Sequence, residues 1–158
     1  LIQFDDLIQG HQSQNLRSQA GDQILKRRDG FYAYQLAVVV DDIAQGITHI
    51  IRGSDLLEVT GRQLFFFELL GAPLPQFGHV PLAVQANGQK LSKQHFAKAL
   101  APHNTGAYLR EALHFLGQDI SGIRRQETTD SLLRKAIERW DIQRVPKLAN
   151  IPVGQQFG

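Results

Sequence analysis

The sequence of 158 residues contains no cysteine and no methionine. Without cysteine the chain has no disulfide, no thiol nucleophile and no cysteine-based zinc site, and it fits the cytoplasmic location that we expect. Because the first residue is Leu1, we expect the chain to be part of a longer protein. No apolar run approaches the ~20 residues needed to span a bilayer, so we expect no association with membranes.

The composition is that of an ordinary globular protein, with 42 % hydrophobic and 20 % charged residues. The formal net charge of +2 is unevenly distributed, because the basic residues are concentrated after residue 88. This distribution is compatible with a polyanionic partner, although a similar surplus is common on solvated faces.

Strands and helices alternate through about residue 100, and helices dominate afterwards, which predicts an α/β fold with a parallel sheet. Residues 36–45 are ambiguous, since three consecutive valines favour a strand and their apolar flanks suit a buried helix. The remaining segments are predicted as a hairpin (24–34), strands (47–51 and 77–84), helices (56–70, 106–116 and 129–140) and irregular ends (1–23 and 145–158).

The stretch 86–100, "ANGQKLSKQHFAKAL", places Lys90 and Lys93 directly after an Asn87-Gly88 turn. Lysine ammonium groups are compact charges on flexible stems, which suits them to phosphate groups. The alternative is that both lysines are plain surface residues, and spacing alone favours this alternative.

Arg52 and Tyr34 are candidates for binding a polar ligand. Arg52 follows an apolar strand, and a guanidinium can hold a carboxylate through two parallel hydrogen bonds. It could equally form an ion pair with Asp42 or Asp55. The Tyr34 phenol could contact the same ligand, but a half-buried tyrosine of the core is the commoner case.

Asp41 and Asp42 could bind a metal or act as a base, but paired acids that end an apolar run more often form a solvated terminus. His49 and His79 have no partner at the spacing of metal ligands, so both are predicted to be core or edge histidines. We therefore predict no metal site within this chain.

Three segments in order resemble the catalytic domain of the glutamyl-type class I aminoacyl-tRNA synthetases. They are "FYAYQLAVVVDDIAQGITHIIRGSDLL" (31–57), "FGHVPLAV" (77–84) and "KLSKQ" (90–94). The resemblance is greatest to the short branch of this family that glutamylates the queuosine base of tRNA(Asp). It implies the C-terminal half of a Rossmann-like catalytic domain in residues 1–100, followed by a helical C-terminal region in 101–158.

The resemblance also implies roles for individual residues. Tyr34 and Arg52 match the residues that bind the glutamate substrate. Lys93 matches a catalytic lysine that contacts ATP, in a signature loop formed by Lys90, Leu91, Ser92, Lys93 and Gln94. Residues 34–44 are implied to be a helix, against the propensity of the valines.

The implied activity is the ATP-dependent activation of glutamate, with Mg²⁺, and its transfer to tRNA(Asp) bearing queuosine. We expect a monomer. The family's HIGH-type signature and its zinc site would precede the first residue of this chain, so we expect these 158 residues alone to be inactive. The alternatives are a fragment of a conventional glutamyl-tRNA synthetase and a non-catalytic remnant that binds RNA. Such a remnant would use basic residues of the C-terminal region: Arg124, Arg125, Arg134, Lys135, Arg139, Arg144 and Lys147.

Overall fold

The structure is a computed structural model that describes residues 1–91, 101, 104–124 and 127–153. The chain divides into two compact units, Leu1–His79 and Val80–Gly158. The boundary at residue 100 that the sequence suggested falls outside the described residues and stays a prediction.

The first unit combines short strands with two long helices. Its elements are β1 (Ile2–Asp6), β2 (Gly10–Gln14), α1 (Leu16–Gln19), α2 (Tyr34–Gln45), β3 (His49–Gly53), a 3₁₀ helix (Ser54–Leu56), α3 (Leu57–Leu69) and β4 (Gln76–Val80). Strands β1 and β2 form one two-stranded sheet, and β3 and β4 form another.

The prediction that residues 1–23 are irregular was wrong. Strands β1 and β2 form an antiparallel hairpin in which Ile2 pairs with Gln14 and Asp6 pairs with Gly10. The strand signal was weak in the sequence because β2 ("GHQSQ") carries no apolar side chain. The hairpin leaves Asp6 4 % exposed at the end of β1.

The ambiguous valine segment is the helix α2, as the family resemblance implied. Val39 is buried against Phe66 and Phe67 of α3, and Val38 packs on the same cluster. Packing against α3 therefore outweighs the β-propensity of the valines. The helix ends at Gly46, whose φ of +66° is left-handed and so favours glycine.

The other elements predicted for the first unit are present with shifted boundaries, but the position of Arg52 differs from the prediction. Residues 24–34 turn back on themselves at Gly30, but only one antiparallel bridge forms, between Lys26 and Tyr32. The predicted helix 56–70 is the 3₁₀ turn followed by α3. Arg52 lies within β3, not in the loop after it as predicted.

The predicted strand 77–84 is interrupted at Pro81, which separates β4 from β5 (Leu82–Val84). Proline has no N–H to donate to a strand partner, which accounts for the break. Strand β5 pairs in parallel with β6 (Asn150–Pro152), so the C-terminal tail is not wholly irregular as predicted.

The second unit also contains α4 (Thr105–Phe115), α5 (Thr129–Glu138) and a 3₁₀ helix (Ile142–Arg144). Its core consists of Leu113, Ile123 and Leu132, with Leu109, Ile120 and Ala136 packed around them. The predicted helices 106–116 and 129–140 are thereby confirmed. No helix in the described part of the chain is long and apolar enough to cross a membrane.

We predict that Leu132→Ala lowers the free energy of unfolding by about 2–5 kcal/mol, because it leaves a cavity in this core. Leu132 is fully buried, with 0 % of its surface exposed. Ile137→Ala is the matched control on the same helix, because Ile137 is 74 % exposed and its truncation should cost less than about 0.5 kcal/mol. Urea denaturation measures both, and equal losses would contradict the assignment of this core.

Candidate functional site

A buried carboxylate–imidazole pair joins the two sheets of the first unit. The Oδ2 atom of Asp6 lies 2.5 Å from Nδ1 of His79, and neither side chain is exposed. The other carboxylate oxygen of Asp6 accepts the backbone N–H groups of Ile8 (3.0 Å), Gln9 (2.8 Å) and His79 (3.0 Å). The loop between β1 and β2 and the strand β4 thus both hold this carboxylate in place.

The far side of the His79 ring contacts Arg52. The Nε–H of Arg52 donates to Nε2 of His79 over 3.0 Å. Because the arginine nitrogen can only donate, Nε2 must be the accepting nitrogen of the ring. The proton of the neutral ring then lies on Nδ1 and is donated to Asp6, which fixes the tautomer of His79.

The terminal nitrogens of Arg52 are held by the helical segment that follows β3. Nη1 donates to Oε1 of Gln63 over 2.7 Å. Nη2 donates to the carbonyl oxygen of Leu56 (3.2 Å) and to Oγ1 of Thr60 (2.8 Å). Of the five N–H donors of the guanidinium, these described contacts and the one to His79 use four. One N–H, on Nη1, has no partner among the described residues and could donate to a ligand.

The surroundings of Arg52 are partly apolar. The guanidinium carbon lies 5.0 Å from the ring centre of Phe77, and that ring stacks on His79 with an interplanar angle of 8°. Burial lowers the pKa of Arg52, and electrostatic interactions with neighbouring titratable groups, among them Asp42, Asp6 and Asp55, oppose this shift. The guanidinium is charged at neutral pH in any such environment. The cluster is therefore a fixed cation that suits an anionic ligand such as a carboxylate.

Helix α2 begins beside this cluster. The Nε2 atom of Gln63 donates to Oε1 of Gln35 over 2.7 Å, which connects Arg52 to the first turn of α2. Tyr34, at the start of that turn, is 68 % exposed and not the core residue of the alternative prediction.

The acid pair Asp41-Asp42 lies in the last turns of α2. Burial raises the pKa of Asp42, an effect that Arg52 opposes and Asp41 reinforces. Across the described ranges, no group of three or more His, Cys, Asp or Glu side chains is placed to hold a metal ion.

The start of the predicted signature loop lies in the second unit. Residues 85–89 form a tight turn in which the N–H of Gln85 donates to the carbonyl oxygen of Gln89 (2.8 Å) and Gly88 adopts a φ of +83°. Lys90 then forms an antiparallel bridge with Val84. The predicted turn at Asn87-Gly88 is confirmed. The predicted ATP contacts Ser92, Lys93 and Gln94 lie outside the described residues, and the ligand roles of Lys90 and Leu91 stay predictions.

Sequence reasoning selected Arg52 and Tyr34 but missed most of the residues that hold Arg52 in place. His79 was predicted to be a core or edge histidine and lies fully buried in the core, but its contact with Arg52 was not foreseen. Asp6, Thr60 and Gln63 were not selected at all. Asp6 and His79 are 73 positions apart, so no local motif connects them. His49 lies apart from this cluster, exposed and beside the Thr48 hydroxyl.

The chain belongs to the family of class I (E and Q) tRNA synthetase catalytic domains, whose sequence model matches residues 1–149. The α/β class and the family resemblance seen in the sequence are thus confirmed.

The two curated relatives described next carry the name of one enzyme within this family. The chain is 47 % identical to the glutamyl-Q tRNA(Asp) synthetase of Acinetobacter baylyi, over 92 % of this chain and 49 % of that protein. It is 52 % identical to the enzyme of the same name from Verminephrobacter eiseniae, over 77 % of this chain and 42 % of that protein. The chain thus spans about half the length of the curated relatives it matches.

Two solved structures share the fold. The glutamate-tRNA synthetase of Elizabethkingia anophelis superposes with a TM-score of 0.74 at 23 % identity, over 99 % of this chain and 35 % of that chain. A glutamate tRNA ligase from Elizabethkingia meningosepticum, in complex with its amino acid, has a TM-score of 0.72 at 25 % identity, over 94 % of this chain and 33 % of that chain.

The buried Asp6 carboxylate predicts a specific pH dependence of stability. Burial alone would raise the pKa of Asp6, but the hydrogen bonds from the His79 ring and from backbone N–H groups outweigh it and lower the pKa. A carboxylate whose pKa is lower in the folded state stabilises the fold above its unfolded pKa of about 3.9. That contribution is lost as the pH falls through the folded-state pKa.

We predict that Asp6→Asn lowers the free energy of unfolding at pH 7 by about 3 kcal/mol, because it removes the buried negative charge that accepts hydrogen bonds from His79 and from backbone N–H groups. The difference in the free energy of unfolding between wild type and variant should become smaller as the pH falls below about 4. Denaturation curves from pH 7 to pH 2.5 measure this difference. The neighbouring Asp5→Asn is the control, since the Asp5 side chain is 87 % exposed. A difference for Asp6→Asn that does not change with pH would contradict the prediction.

Proposed function

We propose that the protein to which this chain belongs activates glutamate with ATP and transfers it to the queuosine base of tRNA(Asp). The family and the names of the curated relatives support this proposal. The related ligase whose structure was solved with its amino acid supports an amino-acid pocket within this fold. Because the chain spans about half of those relatives, the activity belongs to the whole gene product.

The observation that carries the proposal is the fixed guanidinium of Arg52. All four of its described hydrogen bonds go to neutral acceptors, so no carboxylate among them cancels its charge. We propose that one carboxylate of glutamate accepts the remaining Nη1–H and that the exposed Tyr34 phenol donates to the same ligand. The other carboxylate of glutamate is then free to react.

The reaction that follows is nucleophilic attack of this free carboxylate on the α-phosphorus of ATP, which gives glutamyl-adenylate and releases pyrophosphate. We propose that Lys90 and Lys93, in the loop 90–94, stabilise the charge that develops on the leaving phosphates. Transfer of glutamate to the RNA completes the reaction and releases AMP. Positioning of the two substrates supplies much of the acceleration in such a reaction.

ATP is proposed to act together with Mg²⁺. This ion usually binds to the phosphates of the nucleotide, with only one or two protein carboxylates and several waters. Among the described residues no three or more His, Cys, Asp or Glu side chains are grouped to hold a metal ion, and we assign no Mg²⁺ ligand to this chain.

Two other functions fit part of the observations. A conventional glutamyl-tRNA synthetase would use the same glutamate pocket with tRNA(Glu) as its acceptor. A non-catalytic RNA-binding remnant would rely on the basic C-terminal half. The intact cluster around Arg52 favours a ligase, because a module that binds only RNA has no need for a fixed arginine in an amino-acid pocket.

Transfer of labelled glutamate by the full gene product tests the three functions. The RNAs are tRNA(Asp) with queuosine, the same tRNA without queuosine, and tRNA(Glu). We expect label only on the tRNA that carries queuosine. Label on tRNA(Glu) would identify a conventional synthetase instead, and label on none of the RNAs would contradict the ligase function.

In the same assay we predict that Arg52→Ala raises the KM for glutamate between about 10- and 100-fold, because a charge-assisted hydrogen bond is lost. Arg52→Lys should be impaired as well, since an ammonium group cannot replace four hydrogen bonds of fixed direction. Arg62→Ala is the control, because Arg62 lies on α3 and donates to the Ala20 carbonyl oxygen. An equal KM for glutamate in all three variants would contradict the proposal that Arg52 binds glutamate.

A further inference from the structure

We infer that Asp6 and His79 are positioning residues for Arg52, which set the direction in which its remaining N–H meets the substrate carboxylate. This inference rests on the proposed function, since it assumes that Arg52 binds a carboxylate. Neither residue touches the substrate in this proposal; both act through the guanidinium.

The first argument is that the Asp6–His79 pair is itself immobile. Both side chains are completely buried, and the Asp6 carboxylate accepts three backbone N–H groups in addition to the imidazole. The carbonyl oxygen of His79 is held as well, by the side-chain amide of Gln9 over 2.8 Å. The imidazole therefore presents Nε2 at a fixed point and in a fixed direction.

The second argument concerns the proton on the imidazole. Nε2 can accept from Arg52 only while the ring proton stays on Nδ1, and the Asp6 carboxylate is the acceptor that keeps it there. If the proton moved to Nε2, two N–H groups would face each other across 3.0 Å. The guanidinium would then have to turn away. A carboxylate that never meets the substrate thus determines where the arginine points.

The third argument is that the remaining contacts of Arg52 depend on its Nε–H direction. The guanidinium is planar, so fixing Nε also sets the plane in which Nη1 and Nη2 lie. In this plane Nη2 reaches Thr60 and the Leu56 carbonyl oxygen, and one N–H of Nη1 reaches Gln63. The second N–H of Nη1 is then aimed in a single direction. A turned guanidinium would aim it elsewhere and misplace the substrate carboxylate.

The substitution Asp6→Asn would keep the size and shape of the side chain at position 6 but move the imidazole proton from Nδ1 to Nε2. The introduced amide nitrogen, placed beside Nδ1, donates where the carboxylate accepted, so the imidazole should accept at Nδ1 and carry its proton on Nε2. The variant therefore separates the direction of the hydrogen bonds from the packing of the site.

The test measures the ring tautomer and the kinetics in the full gene product. Nitrogen-15 NMR of histidine-labelled protein should show the Nδ1–H tautomer of His79 in wild type and the Nε2–H tautomer in Asp6→Asn. The KM for glutamate should rise at least about 10-fold in this variant, while the KM for ATP changes less than about 3-fold.

Two substitutions at His79 are expected to have opposite effects, because one keeps an acceptor for the Arg52 Nε–H and the other removes it. His79→Gln places an amide oxygen near the position of Nε2 and should keep the KM for glutamate within about 3-fold of wild type. His79→Leu keeps the volume but removes the acceptor, and it should raise this KM about as much as Asp6→Asn. Phe67→Leu is the control for lost stability, because Phe67 is buried in the α2–α3 cluster and has no described contact with Arg52.

Each outcome decides the inference. A reversed tautomer with a raised KM for glutamate supports it, and so does rescue by His79→Gln. A reversed tautomer with an unchanged KM overturns it, as does an unchanged tautomer, or a KM that rises equally in Phe67→Leu.

Failure of the proposed function gives a different pattern. Wild-type protein that does not use glutamate contradicts that function, and the NMR signal of the Arg52 Nε–H then decides the positioning role alone. A shift of this signal in Asp6→Asn and in His79→Leu, but not in Phe67→Leu, supports positioning. The absence of such a shift overturns it.

Discussion

The hydrogen-bonded chain from the buried Asp6 through His79 to Arg52 is the interaction on which the first unit depends. Its three residues come from β1, β4 and β3, so a single line of hydrogen bonds crosses both small sheets. Thr60 and Gln63 extend it onto α3, and Gln35 extends it onto α2. Two sheets of two strands each offer little backbone pairing, so these side-chain bonds add to the few backbone contacts between the elements, such as the hydrogen bond from the Leu7 N–H to the Phe77 carbonyl oxygen (2.8 Å).

Because these hydrogen-bonded side chains are buried, the loss of any one of them should lower the free energy of unfolding. An unpaired charge or polar group in a low-dielectric interior is strongly destabilising, whereas a fully bonded network is tolerated. The carboxylate of Asp6 has four hydrogen-bond donors, and the described contacts of Arg52 use four of its N–H groups. The site is therefore specific in geometry because nearly every polar group in it has a defined partner.

The same arrangement connects fold and function. The proposed activation of glutamate would need a fixed cation for the acidic substrate, and a fold that holds Arg52 with neutral acceptors leaves its positive charge available. Aromatic packing of Phe77 on the guanidinium and on His79 excludes water from one side of the cluster. The electrostatic interaction with a carboxylate is stronger in such surroundings than in bulk water.

The sequence by itself determined the α/β class, the long helices, the turn at Gly88 and the family. These features could be predicted because helical periodicity, glycine at helix ends and sequence motifs such as "IIRGSDL" are local properties of the chain. It also identified Arg52 and Tyr34 as ligand candidates. The family pattern, not propensity, identified α2 as a helix, because the valines are helical only through packing on Phe66 and Phe67.

Only the tertiary structure decided how Arg52 is held. Asp6 lies in a stretch of weak strand signal, and His79 resembles any core histidine until the two are brought within 2.5 Å. Hydrogen bonds between residues 73 positions apart leave no periodic trace in a sequence, because their partners become neighbours only when the strands assemble. The direction of each hydrogen bond depends on that assembly. The tautomer of His79 depends on it as well, because the arginine N–H can only donate and therefore requires an accepting nitrogen of the ring.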